Sequence, residues 1–131
     1  EEGKRERIRS IVESIEPTLT EEDGIVLIAR QADFLPDIVK GIAFGLKPKF
    51  PNLVFVIGSA VGGKPALTVM LGDEIVSRGV DASKVVREAA KEISGGGGGQ
   101  PFYATAGGKD AAGIEKAIFR AVELIKTQLK R

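Results

Sequence analysis

Apolar side chains recur at helical spacing near the start of the chain. Ile8, Ile11, Val12 and Ile15 fall at i, i+3, i+4 and i+7, which is one stripe of an amphipathic helix. Pro17 ends that helix nearby. Such a stripe packs on its own domain or, as the end of a longer coiled or dimerising helix, on a second copy. Ile25 to Ala29 is a short β-branched run and predicts a buried strand. Asp33 is placed to cap a helix with Pro36 in its first turn. Ile38, Val39, Ile42, Ala43 and Leu46 form the apolar face of that helix. Gly41 and Gly45 sit one turn apart on it, where a neighbouring backbone approaches closely. Pro48 and Pro51 close the segment.

Leu53 to Ile57 and Ala66 to Leu71 predict two more strands. The tight reversal from Val61 to Lys64 joins them as an antiparallel hairpin. Asp73 caps a short helix that Gly79 ends, and Asp81 or Ser83 opens another. The latter turns Val85, Val86, Ala89, Ala90 and Ile93 inward and Lys84, Arg87 and Lys91 outward. Five glycines follow, Gly95 to Gly99. Phe102 to Ala106 is a short extended segment, and Gly107 and Gly108 turn it. The last helix begins near Asp110 with the inner stripe Ile114, Ala117, Ile118, Ala121, Val122, Ile125 and Leu129. Lys116, Arg120 and Lys130 lie outside. The order α-β-α-β-β-α-α-β-α predicts an α/β domain, a single mixed β-sheet layered with helices and preceded by a short helical segment.

Composition narrows the chemistry. The 131 residues hold no Cys and no His, so thiolate and imidazole metal sites, a Cys nucleophile and any Ser-His or Cys-His relay are excluded. Net charge is +1, but residues 1–23 carry four cations and eight anions, and the remainder carries fifteen cations and ten anions. A mildly basic body behind an acidic lead-in admits a phosphate or nucleic-acid partner without demanding one. No run approaches the ~18 apolar residues of a membrane span. The chain starts without Met or an apolar signal region, and reads as a piece of something longer.

Gly58, Gly63 and Lys64 have the spacing of a phosphate-binding loop. However, Pro65 stands where that motif needs Ser or Thr for magnesium, and a strand follows rather than a helix. A glycine-rich hairpin turn explains these residues better. The stretch from Gly95 to Asp110 is different. Gly95, Gly96, Gly97, Gly98 and Gly99 expose bare N–H groups that suit close approach to a sugar-phosphate backbone. Gly107, Gly108 and Lys109 precede a helix and offer a second donor cluster. Phe102 and Tyr103 point to opposite faces of an extended segment, so one is expected to enter the core and the other to meet a ligand. A flexible linker is the alternative, but both flanks are ordered in pattern.

The glycine run followed by Gln100, Pro101, Phe102, Tyr103, Ala104, Thr105, Ala106, Gly107 and Gly108 resembles the signature of the DHH-associated domain. The helix from Val80 to Lys91 fits the same domain, in the version found at the C-terminus of alanyl-tRNA synthetases. The resemblance covers about residues 24–131. It implies a globular tRNA-binding domain over 23–131, with 1–22 as the tail of a helical linker or dimerisation segment. It implies binding to the tRNA body near its elbow, which helps aminoacylation and editing sites act on one tRNA, and helices that support a homodimer. The RNA-contacting residues so implied are Gly95 to Gly99, Gln100, Tyr103, Gly107, Gly108 and Lys109. The flanking cations Lys84, Arg87, Lys91, Lys116 and Arg120 form a basic face beside them. ATP, magnesium and zinc belong to the full-length cytoplasmic ligase, not to this piece. Gln100 stands where relatives often carry Arg, Lys or His, and the run lacks an internal Lys.

Three other readings compete. One is the substrate lobe of a DHH-type phosphoesterase, and another a free-standing editing protein; each needs His or Cys that this chain lacks. The third is a structural dimerisation module. The chain by itself is expected to show no aminoacylation, editing or phosphodiesterase activity, and turnover by a clean preparation in any of the three assays would refute this.

Overall fold

The computed structural model describes residues 2–130. Helix α1 (Glu2–Ile15) leads through a 3-10 turn into the two-residue strand β1 (Glu21–Glu22) and then β2 (Ile25–Gln31). Helix α2 (Pro36–Leu46) crosses to β3 (Leu53–Val61), and a hairpin returns as β4 (Lys64–Leu71). Helices α3 (Asp73–Ser77) and α4 (Ala82–Ala89) precede β5 (Gly96–Gly99) and β6 (Tyr103–Gly107), and α5 (Ile114–Leu129) completes the described chain. The sheet order is β1-β2-β3-β4-β6-β5. Of the neighbouring pairs only β2–β3 is parallel, and α2 is the crossover that such a pair requires.

The sheet has a core on each face. Leu53, Phe55, Ile57 and Met70 face α1 and α2, whereas Val54, Val56, Leu67, Val69 and Leu71 face α3, α4 and α5. Strand β3 is therefore buried from both sides, with Leu53 to Ile57 at 0–4% exposure. This is why its sequence is a continuous apolar run instead of an alternation. The hairpin turn works as the sequence implies: Gly62 and Gly63 have φ of 63° and 77°, the left-handed geometry of a two-residue loop.

Helix α1 packs on α2 within its own chain. A Cβ at Gly41 would run into the end of Ile8, and one at Gly45 would lie 2.8 Å from Val12 Cγ2. Two small residues one turn apart thus let the helices meet closely, as the sequence suggests. Lys4 and Asp37 add an ion pair at 2.9 Å, and Arg7 lies over the Phe34 ring at 5.6 Å.

Two capping expectations are corrected. Asp33 does not cap α2; Leu35 holds the N-cap position, with Pro36 opening the helix. The Asp33 carboxylate instead accepts bonds from Ala60 N and Gln31 Nε2, both at 2.9 Å, so it ties the end of β2 to β3. These bonds, first that from Gln31, lower its pKa from the ordinary value. Asp73 does not cap α3 either. Gly72 is the N-cap, and Asp73 pairs with Lys47 at 2.8 Å. Asp81 does cap α4, accepting from Ser83 N at 2.9 Å.

Val12 is 5% exposed and anchors α1. Replacing it with Ala is expected to lower stability by about 1–3 kcal/mol in urea unfolding, whereas Glu13→Ala on the exposed side leaves the midpoint unchanged.

Candidate nucleic-acid interface

The glycine run is a strand, not the loop that its composition suggests. Gly96 to Gly99 pair antiparallel with Gly107 to Ala104 and form the sheet edge. A Cβ at Gly95 would run into the Gly107 carbonyl, and one at Gly97 into that of Thr105. A residue with a side chain at either position pushes the edge away from β6. Gly96, by contrast, has nothing within 4 Å of the position its Cβ would take, and at Gly98 the nearest atom is Ser83 Oγ at 3.5 Å. A Cβ at Gly99 would likewise meet the Tyr103 carbonyl, so fold and glycine are coupled at Gly95, Gly97 and Gly99 but not at Gly96 and Gly98.

Helix α4 lies along this edge. Gly95 N donates to Ala90 O at 3.0 Å, and Gly99 N donates to Ser83 Oγ at 3.3 Å. The Arg87 guanidinium comes within 4.0 Å of the Cβ position of Gly98. A turn links β5 to β6: Gln100 N donates to Tyr103 O at 2.8 Å and Tyr103 N donates to Gln100 O at 3.3 Å. Pro101 supplies the fixed φ at the second position of that turn, and the Gln100 side chain is exposed.

The second donor cluster read from the sequence is already in use. Gly108 N donates to Pro65 O at 3.2 Å, and Lys109 N and Asp110 N both donate to Ile93 O, at 2.8 and 3.0 Å. These N–H groups hold the fold and are not offered to an anion. Lys109 itself is exposed, beside Lys64 at the rim of an open cavity.

The flanking cations fall into two groups. Lys84, Arg87 and Lys91 are exposed on α4 and the 3-10 turn after it, and Lys116 and Arg120 are exposed on α5. Glu88 joins the two helices, reaching Lys91 at 3.0 Å and Arg120 at 3.7 Å. The Lys91 hydrogen bond, with Arg120 adding to it, holds the Glu88 pKa below the ordinary glutamate value. Lys91 and Arg120 are thus partly neutralised, while Lys84, Arg87 and Lys116 have no ion-pair partner among the described residues.

Tyr103 stands apart from this group. It packs with the core on the α2 side, 5.0 Å from Phe44 between ring centroids, and burial raises its pKa. The expected division of Phe102 and Tyr103 between opposite faces is corrected. Phe102 lies in the turn before β6, where strand alternation does not apply, and both rings pack on the α2-side core. Sequence reasoning passed over Phe44, which sits on the outer side of α2; its spacing from the inward stripe was the available signal.

Among the described residues no group of three or more His, Cys, Asp or Glu side chains is placed to hold a metal ion, and no helix is long and apolar enough to cross a membrane. The arrangement offers surface contact, with a glycine edge, unpaired cations beside it and an aromatic cluster.

Comparison with known proteins bears on this surface. The family model of the DHHA1 domain matches residues 23–130. The chain belongs to the DHHA1 domain family. It is 46% identical over 125 residues to the alanine–tRNA ligase of Bacteroides thetaiotaomicron, covering 95% of the chain and 14% of the relative. It is 41% identical over 129 residues to that of Cytophaga hutchinsonii, covering 96% of the chain and 15% of the relative. The chain therefore spans only 14–15% of the length of these relatives. Among solved structures, the C-Ala domain of Aquifex aeolicus alanyl-tRNA synthetase superposes with a TM-score of 0.67 at 28% identity, covering 86% of this chain and 98% of that one. A DHH-domain member of a family of ribosomal proteins shares the fold alone, with a TM-score of 0.64 at 12% identity over 92% of this chain and 30% of that one.

In this DHHA1 domain the edge geometry makes a testable distinction. Gly97→Ala is expected to lower the thermal midpoint by several degrees, because about 1–3 kcal/mol of strain enters the β5–β6 pair. Gly96→Ala is expected to leave it within about 2 °C. Equal melting of both variants would show that the edge does not need glycine.

Proposed function

We propose that the chain is the C-terminal domain of an alanine–tRNA ligase and binds tRNA. The observation that carries this reading is the 46% identity over 95% of the chain to a segment of such a ligase. Geometry supports it. The glycine edge carries no side chain that would keep a sugar-phosphate backbone at a distance. Lys84 and Arg87 stand beside it without acidic partners, suited to phosphate contact as point charge and fork. In the parent ligase, catalysis with ATP and metal belongs to other segments, and this domain contributes affinity and positioning. Holding the tRNA body raises the effective concentration of its acceptor end at both the aminoacylation and editing sites.

The dimerisation alternative draws less support. Helix α1 spends Ile8 and Val12 on α2 of its own chain, which leaves little of the stripe for a second copy.

Titration of labelled tRNA with the chain tests the proposal. Affinity should fall linearly with salt on logarithmic axes, and Arg87→Ala should weaken binding and reduce that slope by about 1. Gln100→Arg adds a cation on the turn beside the edge, and should tighten binding two- to tenfold, on the order of 0.4–1.4 kcal/mol, with a steeper slope. No binding at low salt, or binding indifferent to salt and to both substitutions, would count against the tRNA reading.

A further inference from the structure

Helices α3, α4 and α5 cover one face of the sheet out to β6, with Ala104 and Ala106 buried beneath them. On the opposite face α2 covers β3 and β4 and stops there. Thr105 and Gly107 of β6 stay exposed on that face, since successive residues alternate with Ala104 and Ala106. The result is a strip of β6 left uncovered beside the outer side of α2, the α2–β6 groove, with an open cavity at each end.

Both ends of the groove are fixed by contacts. At one end Phe44 of α2 meets Tyr103 of β6, at 5.0 Å, and Phe102, edge-on at 6.4 Å. At the other end Leu35 and Pro36 share an open cavity with Gly107, Lys109 and Lys64. The two sides agree in length. Pro36 to Phe44 spans ~12 Å at 1.5 Å per helical residue, and Gly107 to Tyr103 spans ~14 Å at 3.4 Å per strand residue.

The chemistry along this groove suits a polyanion with flat rings. Phe44 is 42% exposed although it contacts two other aromatics. The Tyr103 hydroxyl has no hydrogen-bond partner among the described residues. Lys40 lies one turn before Phe44 on the same side of α2, and Lys64 and Lys109 stand at the far end; none of the three has an ion-pair partner among the described residues. The acids at the rim are engaged: Asp37 pairs with Lys4 and Asp73 with Lys47. Lys47 also lies over the Phe102 ring at 5.3 Å, where a cation stiffens the cluster. An apolar protein segment would find Leu35 and Pro36 at one end and Phe44 at the other, separated by a floor of threonine and glycine and flanked by unpaired lysines. An unpaired stretch of RNA would find a stacking platform at one end and cations for its phosphates at the other.

We infer that the α2–β6 groove binds a short unpaired RNA segment, with a base stacked on Phe44 beside Tyr103 and phosphates further along the segment on Lys64 and Lys109. This rests on the tRNA-binding reading and adds a base-contacting site to it, across β5 and β6 from Lys84 and Arg87.

The molecule carries its own reporter. Tyr103 is the only tyrosine and there is no tryptophan, so intrinsic emission reports on this groove alone. Binding of a labelled alanine tRNA transcript to the 131-residue chain should change tyrosine emission in parallel with the anisotropy of the label. Phe44→Ala should weaken binding about 5- to 150-fold, which is the equivalent of ~1–3 kcal/mol for one stacked base. Phe44→Tyr, which keeps a flat ring, should bind within about threefold of the original. If Phe44→Ala does not fold, the exposed pair Lys64→Glu and Lys109→Glu carries the test and should weaken binding with a shallower salt slope. Full tRNA affinity in Phe44→Ala, or in the double Lys variant, with unchanged tyrosine emission would overturn the groove and leave the tRNA reading standing. Absence of any tRNA binding by the unsubstituted chain would overturn both. A doubled mass in sedimentation that Phe44→Ala abolishes would assign the groove to a second copy and overturn the RNA site.

Discussion

The Ile93 carbonyl accepts two backbone hydrogen bonds, from Lys109 at 2.8 Å and Asp110 at 3.0 Å, and the candidate surface depends on that junction. Ile93 is fully buried, so these bonds are shielded from water and costly to leave unmade. Just beyond it the chain reverses through Ser94 at φ 54°, and Gly95 N returns to Ala90 O. The end of the α4 segment, the start of the glycine strand and the approach to α5 are thereby fixed at one point. From there β5 can only run back along α4, where Ser83 Oγ receives Gly99 N. Arg87 comes beside Gly98 as a consequence.

The groove follows from connectivity. A parallel pair requires a crossover, and the helix that makes it, α2, packs over β3 and β4. The other neighbouring pairs are antiparallel, and helices α3 to α5 all pack on the other face. Thr105 and Gly107 of β6 are left exposed on the α2 side. Both layers mix paired and unpaired cations: Lys4 and Lys47 pair with Asp37 and Asp73 on the α2 side, and Lys84 and Arg87 stay unpaired among the described residues on the other. Glu88 stitches α4 to α5 by binding Lys91 and Arg120, so part of that layer's charge stabilises the fold. Lys40, Lys64 and Lys109 on the groove side form no such pairs among the described residues.

Much of the architecture was legible in the residue pattern because it is set by burial. The stripe of α5, the two-sided run of β3 and the Gly62–Gly63 turn have local physical causes that a sequence displays. The reading of Gly41 and Gly45 as a close-approach site was equally local, and Ile8 and Val12 fill it. The errors lie where a side chain has more than one partner to choose from. Asp33 and Asp73 carry capping chemistry, but Ala60 N and Lys47, remote in sequence, took their carboxylates. No spacing rule shows which partner the fold will bring near.

The glycine run marks the boundary most clearly. The sequence by itself determined that the stretch from Gly95 to Gly99 has no side chains and that the motif resembles the DHH-associated signature. It determined the inward faces of the helices through periodicity, since hydrophobic burial reads out as spacing. Only the tertiary structure decided that the run is an edge strand and that Gly108 and Lys109 spend their N–H groups inside the fold. It alone gathered Phe102 and Tyr103 against Phe44, on the opposite side of the sheet from Arg87. Glycine has no β-propensity to announce a strand. The pairing comes instead from a partner strand whose carbonyls leave no room for a Cβ at Gly95 and Gly97, and that fit exists only once β6 is in place.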